Sequence, residues 1–127
     1  MLVGLGIDVV GVARIARALE ADPDALPRQL LIAEELAVWE HLPPARRARH
    51  LAARFAAKEA AIKALAAGPG DLGYFREIVV EAGPGTRPAL GFRGRLARLA
   101  AELGVRHAHL TLTHTREMAA AAVALES

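Results

Sequence analysis

PARRARHLAARFAAKEAAIKALAA, Pro44 to Ala67, is built almost entirely of Ala, Leu, Arg, Lys and Glu, and after its first residue it contains no glycine or proline. Such side chains lose little freedom in a helix. A proline at the first helical position gives up no bonded N–H. The segment predicts a long central helix that opens at Pro44 and stops at Gly68-Pro69-Gly70.

Other periods flank this helix. Toward the N-terminus, Val3, Leu5, Ile7 and Val9 alternate with Gly4, Gly6 and Asp8, which predicts a short buried strand over Leu2–Val10. Val12, Ile15, Ala16 and Leu19 follow helical spacing to about Ala21, and Asp22, Pro23, Asp24 and Pro27 break that helix. A further helical pattern runs from Leu30 to His41, and Pro43 and Pro44 end it. Toward the C-terminus, Glu77–Ala82 and Ala89–Phe92 read as strands around a Gly83–Pro88 turn. Arg93–Leu103 reads as a helix ending at Gly104, and His107–His114 and Met118–Glu126 as two strands joined by Thr115-Arg116-Glu117. The sum is one α+β domain over residues 1–127, with a mainly antiparallel sheet packed around the long helix.

Of the 127 residues 54% are hydrophobic but only 4% aromatic. Alanine buries little area per residue, so an oligomer that buries more surface is expected. The absence of cysteine excludes disulfides, thiolate metal sites and cysteine nucleophiles. No leader-like N-terminus or membrane-length apolar run is present, which predicts a cytosolic protein. The net charge is +2, with the basic residues Arg46, Arg47, Arg49, Arg54 and Lys58 clustered on the central helix, a pattern that suits an anionic ligand or a solvated basic face.

Asp8 ends an otherwise apolar strand, where a carboxylate needs a cation, a capping role or solvent. Gly4-x-Gly6 resembles the start of a dinucleotide-binding turn, but the third glycine is missing and no parallel βαβ unit follows. Glu59 and Lys63 stand one helical turn apart and can face one site together; as an exposed pair alone they contribute about 0.2–0.5 kcal/mol. Arg54 and Lys58 are also one turn apart and repel each other, a conflict that a bound polyanion resolves. His107 and His109 lack a third metal ligand at suitable spacing. His114, beside Thr113 and Thr115 at a strand end, is placed either for phosphate oxygens or as a plain turn residue.

Three segments, taken together, go further: Gly4-Leu-Gly-Ile-Asp-Val-Val10, Arg54-Phe-Ala-Ala-Lys-Glu-Ala60 followed by Lys63-Ala64, and His109-Leu-Thr-Leu-Thr-His-Thr-Arg-Glu-Met-Ala-Ala-Ala121. In this order and at these separations they resemble the signatures of the holo-acyl-carrier-protein synthase branch of the 4′-phosphopantetheinyl transferases, from the first residues to nearly the last. The resemblance implies the fold of that superfamily, a homotrimer with sites at subunit interfaces, and transfer of 4′-phosphopantetheine from coenzyme A to a serine of acyl carrier protein in fatty acid biosynthesis. It implies that Asp8 and Glu59 hold Mg²⁺ and that Lys63 reaches the pyrophosphate as a candidate acid for the departing 3′,5′-ADP. Arg46, Arg54, Thr113 and His114 match positions around the nucleotide, Lys58 joins Arg54 in facing the anion, and Arg14 matches a carrier-docking position. One departure is the loop after Lys63-Ala-Leu65, where the family's Gly-Thr-Gly-Ile-Gly is replaced by Ala66-Ala-Gly-Pro-Gly70. Another is the longer turn Gly85-Thr-Arg-Pro88.

Competing readings are a broader phosphopantetheinyl transferase for polyketide or peptide-synthetase carriers, whose members resemble two such units fused, and a non-catalytic nucleotide- or carrier-binding module. A nucleic-acid binder using the arginines predicts a steep salt dependence. No aromatic stacking platform or reading motif supports it.

Overall fold

The structure, a computed structural model, describes residues 1–68 and 71–127. Strand β1 (Leu2–Gly11) leads into α1 (Val12–Ala21), α2 (Ala25–Leu30), α3 (Ala33–Glu40) and the long α4 (Pro44–Leu65). A 3-10 turn (Leu72–Glu77), β2 (Ile78–Glu81), β3 (Ala89–Phe92), α5 (Gly94–Glu102), β4 (His107–His114) and β5 (Met118–Glu126) follow. The strands form two antiparallel sheets, one in the order β1-β5-β4 and one the β2-β3 hairpin. This is the expected α+β arrangement around one long helix.

Helix α4 is the spine of the core. Ala52, Ala56, Ala57, Ala60 and Ala61 are fully buried along it, and short side chains let the main sheet come close. The inward row of β5, Ala119, Ala121, Val123 and Leu125, is also buried, with Val10 and Leu110 from the strands on either side. Strand β1 approaches closest. A Cβ on Gly6 would lie 1.8 Å from the Ala60 carbonyl oxygen, and one on Gly4 would lie 2.1 Å from that of Ala64.

This approach reverses one expectation. The alternation in β1 is present, but its glycine side faces the core and its apolar side faces out, with Leu5 and Ile7 each 66% exposed and Val9 54% exposed. Only positions without a side chain, here Gly4 and Gly6, fit so close to a helix backbone. A second difference concerns the predicted Leu30–His41 helix, which begins only at Ala33 because Leu31 and Ile32 are extended. Glu35 folds back to accept the Ile32 N–H at 2.9 Å, fixing the start of α3 there. Pro27 lies in the first turn of α2, where its missing N–H costs no helical bond.

Among the described residues no helix is long and apolar enough to cross a membrane.

Candidate active site

Asp8 is the next inward position of β1 after Gly6, so the close packing on α4 delivers its carboxylate to the C-terminal half of that helix. Its Oδ1 lies 3.0 Å from Lys63 Nζ, which also donates to the Ile7 carbonyl at 3.0 Å. The lysine side chain remains about half exposed, so this pair adds little stability, about 0–1 kcal/mol, and stays open to a ligand.

Glu59 stands one turn before Lys63. Burial and the neighbouring Asp8 carboxylate push its pKa up, against the pull of Lys63 and Arg14. Arg14 enters from α1 with its guanidinium 5.5 Å from the centre of the Phe55 ring. Asp8, Glu59, Lys63 and Arg14 therefore form one cluster, as the sequence expected of the first three. A hard cation beside Asp8 and Glu59 would relieve the repulsion that Glu59 feels from its neighbour. Among the described residues no three or more of His, Cys, Asp and Glu gather as a metal site. Asp8 and Glu59 would offer two carboxylates, a donor set that fits an ion such as Mg²⁺ that keeps waters and takes ligand phosphate oxygens.

A second cluster lies toward the start of α4. Arg46, Arg49, His50 and Arg54 of the helix and Thr113 and His114 of β4 line a groove of about 250 Å³ that has no acidic residue in its wall. Four predicted nucleotide-binding positions, Arg46, Arg54, Thr113 and His114, share this groove. A larger groove of about 590 Å³ adjoins it between α3 and the β2-β3 hairpin.

Lys58 does not belong to either groove. It is fully buried, and its ammonium donates to the carbonyls of Leu30 (2.7 Å) and Phe75 (2.9 Å) and to Glu35 Oε1 (2.6 Å). All its donors are spent inside the protein. The expectation that Lys58 helps bind the anion is therefore corrected, because the charge that answers the Arg54–Lys58 repulsion is Glu35. Burial pushes the Lys58 amine down and the Glu35 carboxylate holds it up.

Comparison with known proteins gives the family of the chain. The family model described as "4′-phosphopantetheinyl transferase superfamily" matches residues 4–124. The holo-[acyl-carrier-protein] synthase of Anaeromyxobacter sp. (strain K) is 47% identical over 129 aligned residues, covering 99% of this chain and 97% of the relative. The chain belongs to the holo-[acyl-carrier-protein] synthase family.

Solved holo-[acyl-carrier-protein] synthases have the same fold. That of Neisseria meningitidis is 28% identical with a TM-score of 0.88, covering 100% of both chains. That of Bacillus anthracis str. Ames, solved in complex with CoA (3′,5′-ADP), is 32% identical with a TM-score of 0.79, covering 100% of this chain and 98% of that one. Within the family loop that differs here, Ala66 closes α4 in the left-handed region at φ +52° and Gly68 continues at φ +83°. Pro69 and Gly70, the rest of that altered loop, lie outside the described residues.

Two features of this family member escaped the sequence reading. One is Glu35, whose Oε2 also accepts the Val80 N–H at 2.9 Å and so ties α3 to β2 as well as to Lys58. Its only local signal is an acidic residue three positions into a helix. The other is Arg95, which pairs with Asp71 and Glu77 and lies 4.7 Å from the centre of the Tyr74 ring. These contacts brace the wall of a small cavity that also contains Glu59. Arg95 is 18 and 24 residues from its carboxylate partners, beyond any local pattern.

Proposed function

We propose that this chain transfers the 4′-phosphopantetheine group of coenzyme A to a serine of apo acyl carrier protein, giving holo acyl carrier protein and adenosine 3′,5′-bisphosphate, in fatty acid biosynthesis. The observation that carries the reading is the meeting of Asp8 with Lys63 beside Glu59 in a holo-[acyl-carrier-protein] synthase chain. The arginine-lined groove suits the phosphates of a nucleotide, the kind of ligand bound in the Bacillus anthracis relative.

In this reading Asp8 and Glu59 hold Mg²⁺, which when bound neutralises charge on the pyrophosphate. The serine oxygen forms a bond to the β-phosphorus while the bond from that phosphorus to the bridging oxygen breaks. The serine proton passes to a water or carboxylate of the site, and the electron pair of the broken bond leaves with 3′,5′-ADP. Lys63 donates to the leaving oxygen and serves as its acid. Arg46, Arg54, Thr113 and His114 hold the nucleotide end, so the protein contributes positioning and electrostatics more than covalent chemistry. Arg14 docks the acidic carrier protein, where opposite charge assists encounter and register.

The reading includes a homotrimer of single-domain chains, residues 1–127, in the cytoplasm. The outward row Leu5, Ile7 and Val9 supports it, because an apolar face of this kind marks an interaction surface. So does the separation of the two clusters, since Asp8, Glu59 and Lys63 do not line the arginine groove. Sites shared across subunit interfaces join the carboxylates of one copy to the groove of the next. A mass gain on apo acyl carrier protein incubated with this chain and coenzyme A tests the transfer.

A further inference from the structure

Arg46, His50, Arg54 and Lys58 follow one another at intervals of four along α4 and so form one row on the helix surface. Their burial is graded. Lys58 is fully buried, Arg54 is 9% exposed, His50 is half-buried and Arg46 is exposed. Glu35 answers the inner end of the row through Lys58, and its charge is also felt at Arg54. At the outer end the smaller groove presents Arg46, Arg49, Arg54 and His114, with no carboxylate among its lining residues.

His50 and Arg54 are common to both grooves, so the imidazole stands at their junction. From the larger groove Glu34 and Glu35 of α3, Glu81 of β2, and Arg87 and Arg93 of the hairpin and its exit face the same space. In the ligand-free protein the ring is neutral at pH 7, because partial burial and the Arg54 guanidinium hold its pKa down to about 4. A phosphate in the groove reverses the sign of that field, and a proton on the ring is then attracted rather than repelled.

We propose that His50 is a further substrate-binding residue, one that takes a proton from solvent when a phosphate-bearing ligand enters the groove and then donates an N–H to it. This inference rests on the reading that the groove holds the phosphates of coenzyme A. The proton comes from water or buffer and no covalent bond of the ligand changes. The row thereby gains a fourth cation only when an anion is present to balance it, and the free protein is spared a charge between Arg46 and Arg54.

The test is isothermal titration with adenosine 3′,5′-bisphosphate near pH 5.5, 6.5 and 7.5, in pairs of buffers with different ionisation heats, on the wild type, His50→Phe and His50→Gln. The ligand's phosphates and the other groups of the groove are common to all three proteins, so the difference between proteins isolates His50. The wild type is expected to take up on the order of one more proton per ligand near pH 6 than either variant. Its affinity should also fall by up to about tenfold more per pH unit over the interval where the free ring is neutral and the bound ring charged. The glutamine variant keeps the result readable if the phenylalanine variant fails to fold. A wild type that binds with the same proton count as the folded variants overturns the role of His50 and leaves the functional reading standing. A wild type that does not bind at any of these pH values overturns the functional reading, and this inference with it.

Discussion

Glu35 and Lys58 meet in the core at 2.6 Å although 23 residues separate them in the chain. The carboxylate also accepts the Ile32 N–H just before α3 and the Val80 N–H of β2, so one side chain joins two elements to the spine helix. Glu35→Ala should destabilise the fold by about 3–5 kcal/mol, because it strands a buried ammonium. Lys58→Met should cost a similar amount by stranding Glu35 and two carbonyls, and Glu35→Leu with Lys58→Met should cost less than the sum. Urea unfolding measures all three; single variants within about 1 kcal/mol of the wild type would contradict a paired buried charge.

The glycines of β1 carry a second prediction. Gly6→Ala forces a methyl group into the Ala60 carbonyl, and a backbone atom cannot swing away as a side chain does. A loss of about 2 kcal/mol or more is expected on thermal unfolding. Turnover should fall even where the variant is folded, since a shifted strand carries Asp8 away from Lys63 and Glu59.

Much of the fold was legible because it rests on local signals. Composition marks the length of α4, period-two patterns mark the strands, and the four-residue spacing of Glu59 and Lys63 puts them on one face. The rest depends on long-range partners. Alternation in β1 says that its two faces differ, but the choice of the inner face was made by the close approach of α4, which no residue of β1 reveals by itself. The Arg54–Lys58 repulsion is visible in the sequence, whereas the carboxylate that resolves it comes from another helix. That is why a structural lysine resembled an anion-binding one.

His50 also makes a prediction for acid stability. Its folded pKa of about 4 lies below the ordinary 6.5, so the unfolded chain takes the proton first as the pH falls. Stability should decline from about pH 6.5 toward pH 4, and His50→Phe should flatten that decline. Melting temperatures over this range decide it, and parallel curves for the two proteins would contradict the burial of a neutral ring.

Glu59→Gln should lower turnover by about two orders of magnitude or more while leaving the circular dichroism spectrum unchanged, if Glu59 is one of the two carboxylate ligands proposed above. Arg14→Glu should instead raise the KM for the carrier protein with little change in coenzyme A binding. Steady-state kinetics with each substrate varied in turn separates the two. Equal effects of Arg14→Glu on both substrates would contradict its assignment to docking.

The most direct measurement is the intact mass of apo acyl carrier protein after incubation with this chain, coenzyme A and Mg²⁺, beside a sample treated with chelator. The account predicts a gain of about 340 Da, one phosphopantetheine on one serine, that disappears with the chelator. An unchanged mass on a panel of competent carriers, from a protein that still binds coenzyme A, would contradict it.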